Sequence, residues 1–214
     1  MTPRRGADPA GPGRLAGAVV AAWDVALDRL WGHYALSSGV VTRSLPLGDS
    51  DLVLDVGGGT GGVSARLRPS VRAVTVVEPS EPLTRRGRGV HRGVGFVVGD
   101  GRSLPVRTGS VDHVLLVEVL HHVDDAPAVL AEAARVLRTG GSILIEESEF
   151  GGAFGRLRRW AESVLLGGVW PRSRPELLEA LGRLGFRGRV LEQEGFVVVA
   201  VPLERPLGEP ATER

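Results

Sequence analysis

Apolar and polar positions along the chain follow two alternating rhythms. Short apolar runs at 52–54, 71–77, 94–98, 110–117 and 142–145 read as strands covered on both faces, as in a parallel sheet enclosed by helices. Helical spacing fills the intervals, at 63–67 before Pro69 and at 128–137. Several helix boundaries are marked. Pro79-Ser80-Glu81-Pro82 ends one strand and starts a helix, and Asp124-Asp125-Ala126-Pro127 supplies an Asp cap with proline in the first turn. Ser173-Arg174-Pro175-Glu176 fits a capping box for a helix over 177–184 that stops at Gly185. Arg138-Thr139-Gly140-Gly141 is expected to close the preceding helix through a glycine C-cap. Two runs at 186–191 and 196–201, joined by a tight turn at 193–195, predict a closing hairpin.

Upstream, residues 13–36 read as a helix with Leu15, Val19, Trp23, Ala26, Leu27, Leu30 and Trp31 mostly on one face. A short second helix is expected over 38–45. Residues 1–13, rich in Pro, Gly and Arg, are expected to be disordered, and the polar tail from 203 loose. The alternation of strands and helices gives an α/β class.

The stretch Leu54-Asp55-Val56-Gly57-Gly58-Gly59-Thr60-Gly61-Gly62 organises the rest. A buried strand runs into a glycine turn and then a helix, and the glycines let bare backbone approach a ligand. Gly57, Gly59 and Gly62 also satisfy the Gly-x-Gly-x-x-Gly pattern, a weak signal in a glycine-rich chain. Asp55 sharpens it. A dinucleotide places its pyrophosphate at such a helix start, where a carboxylate repels it. A ligand carrying a sulfonium or ammonium cation is favoured there instead.

These residues resemble the first motif of the class I S-adenosylmethionine-dependent methyltransferases, in the small-molecule branch of the ubiquinone/menaquinone methyltransferase type. The resemblance covers about 50–202. It extends through Gly99-Asp100-Gly101-Arg102-Ser103-Leu104-Pro105, the pair His121-His122, and Arg135-Val136-Leu137-Arg138-Thr139-Gly140-Gly141, where Thr139 replaces the usual proline. It implies a Rossmann-like three-layer sandwich whose seven-stranded, mostly parallel sheet has one antiparallel strand from the C-terminal hairpin. It also implies S-adenosylmethionine as cofactor, with Asp55, Gly57, Gly58, Gly59 and Gly61 around its methionine half. Glu78, 23 positions after Asp55, stands near the distance at which an open α/β sheet places an acid on a ribose. The resemblance gives it that role, with Pro79 beside it. Asp100 is implied to take the adenine amino group and Gly101 the adjoining backbone contact, and Val117, at the end of the fourth strand, is implied to bind the cofactor as well. Tyr34, near the end of the N-terminal helix, either faces the cofactor as in the family or packs with its hydroxyl in water.

The segment Glu118-Val119-Leu120-His121-His122 follows the fourth strand and should line the site, since ligands of open α/β sheets bind outside the carboxyl ends of strands. His122 and Glu118 are the candidate catalytic residues. Either histidine could serve as a base near pH 7, or hold the loop and pack; packing is preferred for His121. Glu146 and Glu147 are further carboxylates at the end of the fifth strand. No third ligand accompanies the paired histidines, so no metal site is expected. Residues 153–166 form an amphipathic pattern, with Phe154, Leu157, Trp160, Val164 and Leu165, where the family places a variable substrate-covering segment.

Composition narrows the classes. The 214 residues, 43% hydrophobic, suit one domain with a sizeable core. A net charge of +1 gives no global field for nucleic acid or membrane. Every basic residue is arginine and no cysteine occurs, which excludes lysine chemistry, disulfides and thiolate nucleophiles. The arginines at 85, 86, 88 and 92 read as a solvated face. No run reaches membrane-span length and no secretory stretch opens the chain, so a soluble cytoplasmic protein is expected.

The expected organisation is a tail at 1–13, a helical cap at 14–47, a methyltransferase domain at 48–202 with the covering segment at 151–172, and a tail at 203–214. The expected activity is in-line methyl transfer to a small, partly apolar acceptor, driven mainly by positioning. The alternatives are a non-catalytic S-adenosylmethionine-binding partner or regulatory subunit and, less favoured, a nicotinamide-dependent oxidoreductase.

Overall fold

The computed structural model describes residues 33–147, 170, 172–193 and 195–203. The predicted tail at 1–13, most of the helix at 13–36, the covering helix at 153–166 and the tail beyond 203 lie outside the described residues. So does the side chain of Tyr34.

The order of elements is α1 (His33–Ser44), β1 (Leu52–Val56), α2 (Gly62–Leu67), β2 (Ala73–Glu78), α3 (Glu81–Val90), β3 (Gly95–Val98), β4 (Val111–Val117), α4 (Ala126–Val136), β5 (Leu137–Glu147), α5 (Arg174–Arg183), β6 (Phe186–Gln193) and β7 (Gly195–Pro202). The seven strands form one sheet in the order β3-β2-β1-β4-β5-β7-β6. All neighbouring pairs from β3 to β5 are parallel, and β7 lies antiparallel to both β5 and β6. The predicted α/β fold and its closing hairpin are what the chain adopts.

The apolar strand runs make two cores because successive side chains point to opposite faces. Leu54, Val114, Leu116, Ile143 and Ile145 join Val129, Leu130 and Ala133 of α4 and Leu177 and Leu181 of α5 on one side. Val53, Leu115 and Leu144 join Val40 and Val41 of α1 and Val63 and Leu67 of α2 on the other. A central strand buried on both faces must read as a near-continuous apolar run.

The caps of α3, α4 and α5 form as expected. Ser80 accepts from Leu83 N–H, Asp125 accepts from Ala128 N–H, and Ser173 and Glu176 form the capping box. Two boundaries differ from the sequence reading. The predicted break before 38 is absent, and α1 runs through it. The serines at this point are buried; Ser37 donates its hydroxyl to Glu146 at 2.9 Å, and Ser38 offers its carbonyl to Thr42. The glycine C-cap of α4 is also absent. Leu137 is already extended (φ −67°, ψ 136°), so β5 begins directly. Gly140, at φ 81°, instead serves a bulge in which β4 pairs Val111 with Leu137 and His113 with Ser142. A Cβ on Gly141 would stand 2.7 Å from the Asp112 carbonyl, so the bulge needs glycine there.

Candidate active site

The carboxyl ends of β1 to β5 carry the candidate residues. After β1 the chain turns through Gly57, Gly59 and Gly61, all at positive φ. Gly57 keeps its N–H on the Val77 carbonyl at 2.8 Å, so the turn starts on the sheet ladder. A Cβ on Gly57 would lie 2.1 Å from Val119 Cγ2, and one on Gly58 would lie 2.5 Å from Asp55 Oδ2. The glycines therefore let the loop press against the turn after β4 on one side and the Asp55 carboxylate on the other.

Asp55 is 1% exposed. Burial pushes its carboxyl up from 3.8 to about 6, opposed by the hydroxyl that Ser64 of α2 donates at 2.6 Å. The structure encloses the carboxylate beneath the loop, where it is bonded by Ser64 and sets its charge beside the turn. Glu78 is 7% exposed. One oxygen accepts from Ser80 N–H at 2.9 Å and the other from Gly59 N–H at 3.2 Å, so the acid ending β2 ties the glycine loop to the start of α3. Pro79 beside it is exposed.

Asp100 follows β3 on the surface. It accepts from the Arg102 backbone N–H at 2.8 Å and from the guanidinium at 2.6 Å, and these bonds hold its carboxyl below the usual range. The same guanidinium reaches Asp124 at 3.0 Å, an ion pair that joins the loop after β3 to the loop after β4. The sequence reading missed Arg102, since nothing in its spacing distinguishes it from the other arginines. Gly101 packs so that an added Cβ would meet Val56 at 3.0 Å.

On the other flank, Val117 ends β4 and Glu118 follows at φ 54°, the one non-glycine residue at positive φ among the described residues. Its N–H continues the ladder to the Glu146 carbonyl at 2.8 Å. Left-handed backbone in a glutamate costs about 1–2 kcal/mol, and it turns the chain out of the sheet at the site. Glu146 is pushed up to about 7, first by burial and then by Glu118 and Glu147, with the Ser37 hydroxyl opposing. Next comes a tight turn, Leu120–His122. His121 is buried and bonded to Glu147; His122 is half-buried, its ring 4.0 Å from that of His121. Glu146 thus meets Ser37, 109 positions away in sequence, a contact that no local pattern could reveal, and feels the charges of Glu118 and Glu147, the partner of His121. Among the described residues no cluster of His, Asp and Glu has the arrangement of a metal site.

Residues 54–145 match the family described as a methyltransferase domain. Among curated proteins, a ubiquinone/menaquinone biosynthesis C-methyltransferase UbiE from Acidiphilium cryptum is 40% identical over 96 residues, covering 42% of this chain and 39% of the relative. A demethylmenaquinone methyltransferase from Beutenbergia cavernae is 33% identical over 121 residues, covering 56% and 48%. The chain spans about half the length, or less, of these relatives. Among solved structures, a SAM-dependent methyltransferase from Thermotoga maritima shares the fold with a TM-score of 0.68 at 24% identity, over 88% of this chain and 99% of that one. The stretch that holds the glycine loop, the strand-end acids and the paired histidines therefore matches a methyltransferase domain, and the chain shares its fold with a solved SAM-dependent methyltransferase.

Proposed function

We propose that the chain is an S-adenosylmethionine-dependent methyltransferase acting on a small, partly apolar acceptor. The observation that carries this reading is the set of acids at the ends of three neighbouring strands, Asp55, Glu78 and Asp100, grouped around a glycine loop that admits no side chain. Above pH about 6 the ionised Asp55 sets a negative charge under the loop, which disfavours a pyrophosphate and favours a sulfonium. Glu78 and Asp100 are the residues that would hold the ribose hydroxyls and the adenine, and Gly57, Gly58, Gly59 and Gly61 give the backbone surface for the methionine half.

When bound, S-adenosylmethionine supplies an electrophilic methyl group and leaves as a neutral thioether, so no acid is needed for its departure. The chain's task is to align an acceptor about 3 Å from that carbon, and alignment supplies several kcal/mol of rate. Glu118 and His122 stand where they meet the acceptor, and His122 takes its proton if one must leave. Glu146, held near neutral pH by burial, is a second proton acceptor beside them. The matched relatives are named for quinone biosynthesis, which supports an apolar ring as the acceptor class. A cytoplasmic site of action without nucleic acid belongs to the same proposal; no helix among the described residues is long and apolar enough to cross a membrane. The test is turnover with methyl-labelled cofactor over a panel of hydroxylated aromatic and quinol acceptors. Label transfer to at least one, reduced about 10²–10⁴-fold in His122→Ala, is expected. Cofactor binding with transfer to none would favour the non-catalytic alternative.

A further inference from the structure

At the carboxyl ends of the strands, one buried ionisable pair takes no part in the proposed chemistry. Glu147, the last residue of β5, is 5% exposed and His121 is 1% exposed. One Glu147 oxygen bonds Nδ1 of His121, and the other accepts from Leu120 N–H at 2.7 Å. The His121 carbonyl in turn accepts from Trp170 N–H at 2.7 Å. Three bonds from distant parts of the chain therefore converge on the turn Leu120–His122. Two of them come from a single carboxyl that burial pushes above its ordinary range.

Enclosing a carboxylate is costly unless its lone pairs are engaged, and here both oxygens are engaged by the one turn they anchor. The outcome of the arrangement is the placement of the next side chain. His121 is locked by ring and carbonyl alike, and the ring of His122 lies 4.0 Å away, tilted by 51°. We propose that Glu147 and His121 are positioning residues that fix His122 toward the acceptor; only the identity of what His122 faces rests on the methyl-transfer reading. They touch no reacting atom themselves, and their effect passes through the turn, as partners behind a ligating residue set its orientation.

The test uses the full chain with ¹⁵N-labelled histidine. Ring signals are followed against pH in the wild type, Glu147→Gln and Glu147→Ala, and S-adenosylhomocysteine binding is measured by calorimetry on each. The expected result is a His122 titration midpoint displaced by about half a pH unit or more in both variants. S-adenosylhomocysteine affinity should stay within about twofold, since the pair lies off the cofactor side. If Glu147→Ala does not fold, Glu147→Gln decides, because its amide oxygen still accepts from Leu120 N–H. An unmoved His122 in the folded variants, with only thermal stability lowered, overturns the proposal and leaves the pair as structural glue. A displaced His122 in the variants, together with a wild type that binds no S-adenosylhomocysteine, would sink the methyl-transfer reading and leave the positioning role standing.

Discussion

The two ends of this sheet bury polar groups in opposite ways. At the amino ends, His113 bonds Ser142 at 2.7 Å and Asp51 at 3.1 Å, and Asp51 also accepts from Gly48 N–H at 2.8 Å. Asp112 takes Leu52 N–H at 2.8 Å and pairs with Arg138. Every one of these groups joins two or more elements, and among the described residues the positive φ angles there all belong to glycines. At the carboxyl ends, two carboxyls are pushed up to about 6 and about 7, and a glutamate is held at positive φ. Polar burial serves assembly at one end. At the other it is tolerated at a cost to stability, the usual sign of a site kept for chemistry.

The largest effect expected from this contrast is at Gly57. Gly57→Ala places a Cβ at φ 74° and 2.1 Å from Val119, so left-handed strain and overpacking add. Denaturant unfolding should show a loss of about 2–5 kcal/mol, and S-adenosylhomocysteine binding should fail in whatever remains folded.

The pH dependence sharpens the same contrast. Burial raises Asp55 from 3.8 to about 6, so between these values the native state keeps a proton that the unfolded chain has released. Its protonated form therefore adds stability that is complete below the unfolded value and is lost as pH rises through about 6. Glu146 repeats this from 4.5 to about 7. Stability should fall by roughly 1–3 kcal/mol for each group as pH rises across its window. Asp55→Asn should flatten the lower window and Glu146→Gln the upper one in urea titrations at stepped pH. At the amino ends, Ser142→Ala should cost only about 1 kcal/mol, the price of one buried hydrogen bond, and leave S-adenosylhomocysteine affinity unchanged.

Much of this was legible from sequence because it depends on local pattern. The strand–helix alternation, the caps at Ser80, Asp125 and Ser173, and the closing hairpin are set by neighbours within a few residues. The glycine loop and the acids ending or following the strands were also placed correctly along the chain. What the sequence could not carry is what those acids bond. Whether Asp55 faces a ligand or lies under a loop depends on Ser64 and the packing of α2. Glu78 spends its oxygens on Gly59 and Ser80, Asp100 on Arg102, and Glu146 on Ser37, all partners fixed by tertiary approach. The misplaced C-cap has a similar origin. Gly140 and Gly141 carry the composition of a helix end, and only the register between β4 and β5 assigns them to a bulge.

The central claim is that the carboxyl ends of β1 to β3 bind S-adenosylmethionine, and calorimetry on the full chain tests it most directly. S-adenosylmethionine, S-adenosylhomocysteine and a nicotinamide dinucleotide are titrated into the wild type, Glu78→Ala and Ser142→Ala. Hydrogen bonds to a charged group contribute about 1.5–3 kcal/mol, so Glu78→Ala should weaken both adenosyl ligands by roughly 10- to 150-fold. Ser142→Ala should bind as the wild type does, and the dinucleotide should not bind. Tight dinucleotide binding with none of the adenosyl ligands, or an unchanged affinity in folded Glu78→Ala, would contradict the account.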